Sequence, residues 1–186
     1  MYEKVYFTAC FICGLLSFSG CTASTEYLNI NQYDEIKSLS DIYINDSVLF
    51  PESVKDLEVE KFYCKITTYP LSYTNHEILL TVKYDSNGFE RETERIKKIG
   101  NSDITKNYFS NTCYATLWNV IDTYEYAIIG DNTISYVYLQ FDDKKSDDIT
   151  LERKYLPQNY NIKTDKAQYT AYNYLKEYLG RVLRLW

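Results

Sequence analysis

The sequence predicts an α+β fold: an antiparallel β-sheet packed against one amphipathic helix, with a further helix at the C-terminal end. Three observations predict it. Apolar residues alternate with polar ones over residues 57–67 and 77–84, and the strand signal returns over 113–141, the period-2 pattern of strands half-buried on a core. Between the second and third of these stretches the period changes, with Phe89, Ile96 and Ile99 standing among charges at helical spacing. Near the end, Tyr172, Leu175, Leu179, Val182 and Trp186 fall three and four residues apart on one face.

The elements follow in order. Lys4 precedes an uncharged apolar run over residues 5–18 and then the small pair Ser19 and Gly20, which is the order of a secretory leader. That run is too short to cross a bilayer of about 30 Å, which takes roughly 20 helical residues. Cys10 and Cys13 have the spacing of a redox pair, but they lie inside the leader and leave with it. Residues 21–46 then read as a polar tether, through Ser24, Thr25, Asn29, Asn31 and Gln32, with Ile36, Leu39 and Ile42 docking locally.

One α+β domain is expected over 47–163, a length suited to a single core. Val48, Leu49 and Phe50 end at Pro51, as a strand end or edge does. Residues 57–67 put Phe62, Cys64 and Ile66 on one face and Tyr63, Lys65 and Thr67 on the other. Residues 77–84 repeat this, burying Ile78, Leu80, Val82 and Tyr84 while Thr81 and Lys83 face out. Asp85-Ser86-Asn87-Gly88 reads as a turn in which Gly88 supplies positive φ. The following helix ends at Gly100 and carries Glu94 and Lys98 as an i, i+4 pair. Residues 113–121 form a third strand, and 124–129 with 133–141 a hairpin around Gly130-Asp131-Asn132. Thr164 then caps a C-terminal helix over 164–186, with Arg181 and Arg184 complementing its dipole.

Composition bounds the function. Hydrophobic residues at 45% and charged residues at 25% are globular proportions. A net charge of -6 argues against nucleic acid, because Arg91, Arg95, Lys97 and Lys98 are interleaved with Glu90, Glu92 and Glu94. The 21 tyrosines fit strand packing with wet hydroxyls, or an aromatic surface for a sugar or peptide.

No residue is assigned a catalytic role. His76 is the lone histidine and lacks a nucleophile signature, so neither a triad nor a metal centre is expected, and no cofactor. Asp85, Asn87, Gly88 and Glu94 match positions of a calcium loop, but Lys83 stands at its first position and opposes a cation. Glu58, Glu60, Glu77, Glu90 and Glu92 supply the carboxylates a small hydrolase would need without selecting a pair. Cys64 and Cys113 pose two alternatives: a disulfide closing a long loop and contributing on the order of 4 kcal/mol, or two buried free thiols.

Phe18-Ser19-Gly20-Cys21 resembles the lipobox of bacterial lipoproteins. The resemblance implies cleavage before Cys21, lipid on that cysteine and a place on the extracytoplasmic face of the cell membrane. Val48-Leu49-Phe50-Pro51 and the strand-turn-helix at 84–99 faintly resemble small uncharacterised lipoproteins of Gram-positive bacteria, which implies no activity. The expectation is a lipid-anchored, non-enzymatic binding or adaptor domain for an unknown protein or carbohydrate ligand. The alternative is an extracytoplasmic carboxylate-based hydrolase assisted by His76.

Overall fold

The computed structural model describes residues 22–38, 47–69, 73–120, 122–141, 149–158 and 168–169. Among them, seven strands form one sheet in the order β1-β2-β3-β6-β5-β4-β7, and every pairing is antiparallel. In chain order the elements are β1 (Ala23–Tyr27), α1 (Tyr33–Ser38), β2 (Glu58–Tyr69), β3 (Tyr73–Lys83), α2 (Ser86–Ile99), β4 (Cys113–Val120), β5 (Thr123–Ile129), β6 (Thr133–Phe141) and β7 (Gln168–Tyr169). The α+β expectation therefore holds, in a sheet-rich form.

Alternation along the strands sends side chains to two faces, and both are covered. The first face gathers Tyr33 and Ile36 of α1, Leu49 and Phe50, and Ile96 of α2 around Cys64, Ile78, Leu80 and Tyr136. The second gathers Leu79, Val137 and Leu139 with an aromatic group centred on Trp118. The Trp118 ring lies 5.6 Å from Tyr124 and 5.7 Å from Tyr126, both edge-on, and stacks on Tyr108 at 5.6 Å. Such pairs add about 0.5–1.5 kcal/mol each beyond the area they bury.

Double cover explains a departure from the expected pattern of β3. Ile78, Leu80 and Val82 are buried as read from the sequence, but Glu77, Leu79 and Thr81 on the opposite face are buried too. β3 sits between β2 and β6 and has a core on each side, so the polar alternation does not mark a wet face here.

The polar segment expected to be a tether is folded over residues 23–38. β1 pairs with β2 from Ala23 opposite Thr68 to Tyr27 opposite Cys64, and α1 buries Tyr33 and Ile36 completely or nearly so. Residues 39–46 of that segment lie outside the described residues. Val48 to Phe50 form a bend rather than a strand. α2 begins a residue after Asp85, whose carboxylate accepts the Gly88 N–H at 2.6 Å as an N-cap. Gly88 is thus helical and has no positive φ; that conformation falls to Asn119, Asp122 and Asn132. At the other end of α2, Gly100 lies so close to β4 that an added Cβ would meet the Tyr114 Cβ at 2.8 Å. The expected helix over 164–186 is corrected at Gln168–Tyr169, which pair with β4 as a strand, and its other residues lie outside the described ones.

Candidate functional site

Two glutamates are buried on the sheet, and each holds an irregular covering segment. Glu125 of β5 lies on the first face. Its Oε1 accepts the Val48 N–H at 2.8 Å, the Leu49 N–H at 3.0 Å and the Ser47 hydroxyl, while the Thr116 hydroxyl donates to Oε2. Arg95 of α2 closes the same segment from the other side, donating to the Val48 carbonyl at 2.8 Å and the Leu49 carbonyl at 2.5 Å. The bend at residues 47–50 has its backbone groups satisfied by these side chains instead of a sheet ladder.

Glu77 of β3 lies on the second face and accepts the Thr150 N–H at 2.7 Å and the Leu151 N–H at 3.3 Å. Burial raises its pKa above the usual carboxylate range, opposed by those N–H donors and by Lys65 at 3.8 Å. The Tyr63 hydroxyl lies 2.6 Å from the Thr150 hydroxyl, and burial raises the phenol to about 12.

These positions separate the residues that the hydrolase alternative needs. Glu77 and Glu125 stand on opposite faces, two strands apart, so they share no cleft. His76 is only 1% exposed, with Nδ1 3.3 Å from the Gln140 amide oxygen, and faces the first core. Glu58 and Glu60 are exposed on β2, with Glu58 paired to Lys83 at 2.9 Å, and Glu90 is exposed on α2. Glu92 binds Arg95 at 2.6 Å and accepts the Tyr136 hydroxyl at 2.7 Å. Among the described residues no group of three or more acidic, histidine or cysteine side chains is placed to hold a metal ion.

The disulfide reading of Cys64 and Cys113 is corrected in favour of its alternative. Both are free and buried. Cys64 on β2 and Cys113 on β4 are four strand positions apart, roughly 19 Å at the usual strand spacing, and belong to opposite cores. A disulfide needs Cα atoms within about 7 Å. Burial raises the Cys64 thiol to about 12 and pushes the Cys113 thiol up as well, so both are poor nucleophiles at neutral pH. Cys21 lies outside the described residues.

What the molecule presents to the outside is an incomplete sheet edge. β1 covers β2 only from Cys64 to Thr68, after which the chain leaves the sheet at Leu28 to enter a short 3-10 turn and α1. Residues 58–63 of β2 thus face β3 on one side, with Glu60 left out of the register at a bulge between Val59 and Lys61, and among the described residues face no strand on the other. Beside this edge lies an open groove of about 470 Å³ lined by Leu28, Asn29, Ile30, Val59, Glu60, Lys61 and Phe62. Leu28 is the one large apolar side chain exposed among the described residues, at 66%. The sequence signals β2 but not the edge, because what frees the edge is where β1 stops.

The carboxylates at this edge are unequally engaged: Glu58 has Lys83, and Lys61 is held by Glu152, whereas Glu60 forms no ion pair among the described residues. Of the described tyrosines, Tyr33, Tyr69, Tyr124, Tyr126, Tyr136, Tyr138 and Tyr155 are buried, while Tyr27, Tyr63, Tyr84, Tyr108 and Tyr114 are half-buried. Compared with protein-family models, curated proteins and solved structures, the chain finds no match.

Proposed function

We propose that this chain is a lipid-anchored, extracytoplasmic binding domain that takes up an extended peptide segment of a partner protein by strand addition along residues 58–63 of β2. The observation that carries the binding reading is the open β2 edge beside the Leu28 groove. An unpaired strand edge offers a row of backbone donors and acceptors, and a neighbouring apolar groove selects alternate side chains of the added strand. The anchor rests on the leader-like order ending in Phe18-Ser19-Gly20-Cys21. In this reading α2 and α1 act as the cover of one sheet face, leaving the edge as the working surface.

Charge argues for the occupant. Glu60 is an exposed carboxylate at the edge and Leu28, Ile30 and Val59 supply apolar contact, which suits a segment alternating Lys or Arg with apolar residues. A second copy of this chain fits less well, because antiparallel self-pairing centred on Glu60 sets the two Glu60 carboxylates against each other. The test uses immobilised ten-residue peptides, one set alternating Lys with Leu and Val, the other alternating Glu with the same residues. The basic set is expected to bind at least tenfold tighter, and Glu60→Lys, which reverses the charge at the edge, to abolish the difference. Equal retention of both sets, or a preference indifferent to Glu60→Lys, would sink the reading.

A further inference from the structure

The strand that follows Cys21 is already in the sheet, and this decides how the domain meets a membrane. Ala23 pairs with Thr68, so Thr22 alone separates Cys21 from ordered β-structure. Two residues reach about 7 Å at most, comparable with the headgroup layer on each side of a bilayer, roughly 5–7 Å. A lipid on Cys21 leaves the first residues of β1 no room to stand away from the headgroups.

The corner of the sheet at that point has a matching composition. Residues 22–25 carry no charge and are exposed. Across the ladder, no Asp, Glu, Lys or Arg occurs over residues 66–76, in a chain that is 25% charged. Ser24 and Thr67 share a hydroxyl contact at 3.2 Å, and Thr68 is exposed beside Ala23. Charge along the β1–β2 pair begins only with Glu26 opposite Lys65, about 10 Å from Ala23 along β1. At the far end of β2 and β3 the character reverses, with Glu58, Glu60, Lys61, Lys83 and Asp85 together.

We infer that the corner made by the start of β1, the end of β2 and the start of β3 rests directly on the phospholipid headgroups, as a neutral, hydroxyl-bearing contact surface. This deepens the proposed function and rests on lipidation of Cys21. It holds the sheet by one corner without a flexible spacer, and puts the charged end with the β2 groove on the side away from the bilayer. Neutral hydroxyls exchange water for headgroup oxygens at little cost, whereas an ion there would be desolvated.

The test expresses the full chain with its leader in a lipoprotein-processing bacterium and reconstitutes it in phosphatidylcholine vesicles with lipid brominated near the headgroup. An environment-sensitive fluorophore is attached at Thr68→Cys or at Glu58→Cys, both exposed and at opposite ends of one strand; Cys64 and Cys113 are buried and unlabelled. Circular dichroism checks that each variant is folded. The inference expects several-fold quenching and a blue shift at position 68 and neither at position 58. Acyl mass on the Cys21 peptide with position 68 unquenched overturns this inference while leaving the anchor standing. Absence of acyl mass overturns the anchor and this inference together.

Discussion

The two faces of the sheet solve one problem in two ways. Each must hold down a segment without regular structure, and each does so with a buried glutamate that accepts backbone N–H groups. On the first face, Glu125 holds the bend at residues 47–50, and Leu49, one of its donors, is fully buried. On the second, Glu77 holds residues 150–151, but Thr150 is exposed and Lys65 lies 3.8 Å away. Both carboxylates are buried, but the donors differ: Leu49 is fully buried on the first face, whereas Thr150 stands exposed on the second. The same residue type, in the same role, therefore differs in what its loss would leave unsatisfied.

Truncating the two glutamates sharpens this contrast most. Glu125→Ala orphans two N–H groups and two hydroxyls, and is expected to cost about 3–4 kcal/mol at roughly 1–3 kcal/mol for a buried orphan, discounted for relaxation. Glu77→Ala is expected to cost about 1 kcal/mol, because water replaces the carboxylate at Thr150. Urea denaturation of the two variants measures both, and equal losses would break the comparison. Next in size is Arg95→Ala, which frees the Val48 and Leu49 carbonyls and is expected to cost about 2 kcal/mol. Arg95→Lys is expected to recover little, since an ammonium lacks the fork that spans both carbonyls.

The smallest expected effect is a pH dependence confined to the second face. Burial raises the pKa of Glu77 in the folded chain, so the folded state keeps its proton at a pH where the unfolded state has lost it. The unfolded state binds fewer protons in that window, and stability falls as pH rises from the ordinary glutamate range through the raised value. Glu77→Gln is expected to flatten this part of the stability profile measured between pH 4 and pH 7, on the order of the carboxylate's ordinary and raised range. A profile unchanged by the substitution would assign the dependence elsewhere.

Much of the sheet was legible because its strands alternate. The strand read over 113–121 is β4 at Cys113–Val120, and the hairpin strands read over 124–129 and 133–141 are β5 at Thr123–Ile129 and β6 at Thr133–Phe141. α2 was legible from its stripe, and its stop at Gly100 has a visible cause in the contact with Tyr114. β1 was not legible. It is an edge strand exposed along nearly its whole length, held by backbone pairing that leaves no apolar pattern, and so it reads as a tether.

Glu125 is hidden in the sequence for a related reason. A glutamate between tyrosines in a strand reads as a solvent-facing residue, and only the bend at residues 47–50, 75 or more positions earlier in the chain, turns it into a buried acceptor. Cys64 and Cys113 are the converse: each sits correctly at a buried strand position, yet strand order carries them to opposite cores. By itself the sequence determined the alternating strands, the apolar stripe of α2 and the leader-like order before Cys21, because each is written in neighbouring residues. The tertiary structure alone decided the strand order, the second buried face of β3 and the open edge of β2, because these depend on which distant segments meet across the sheet.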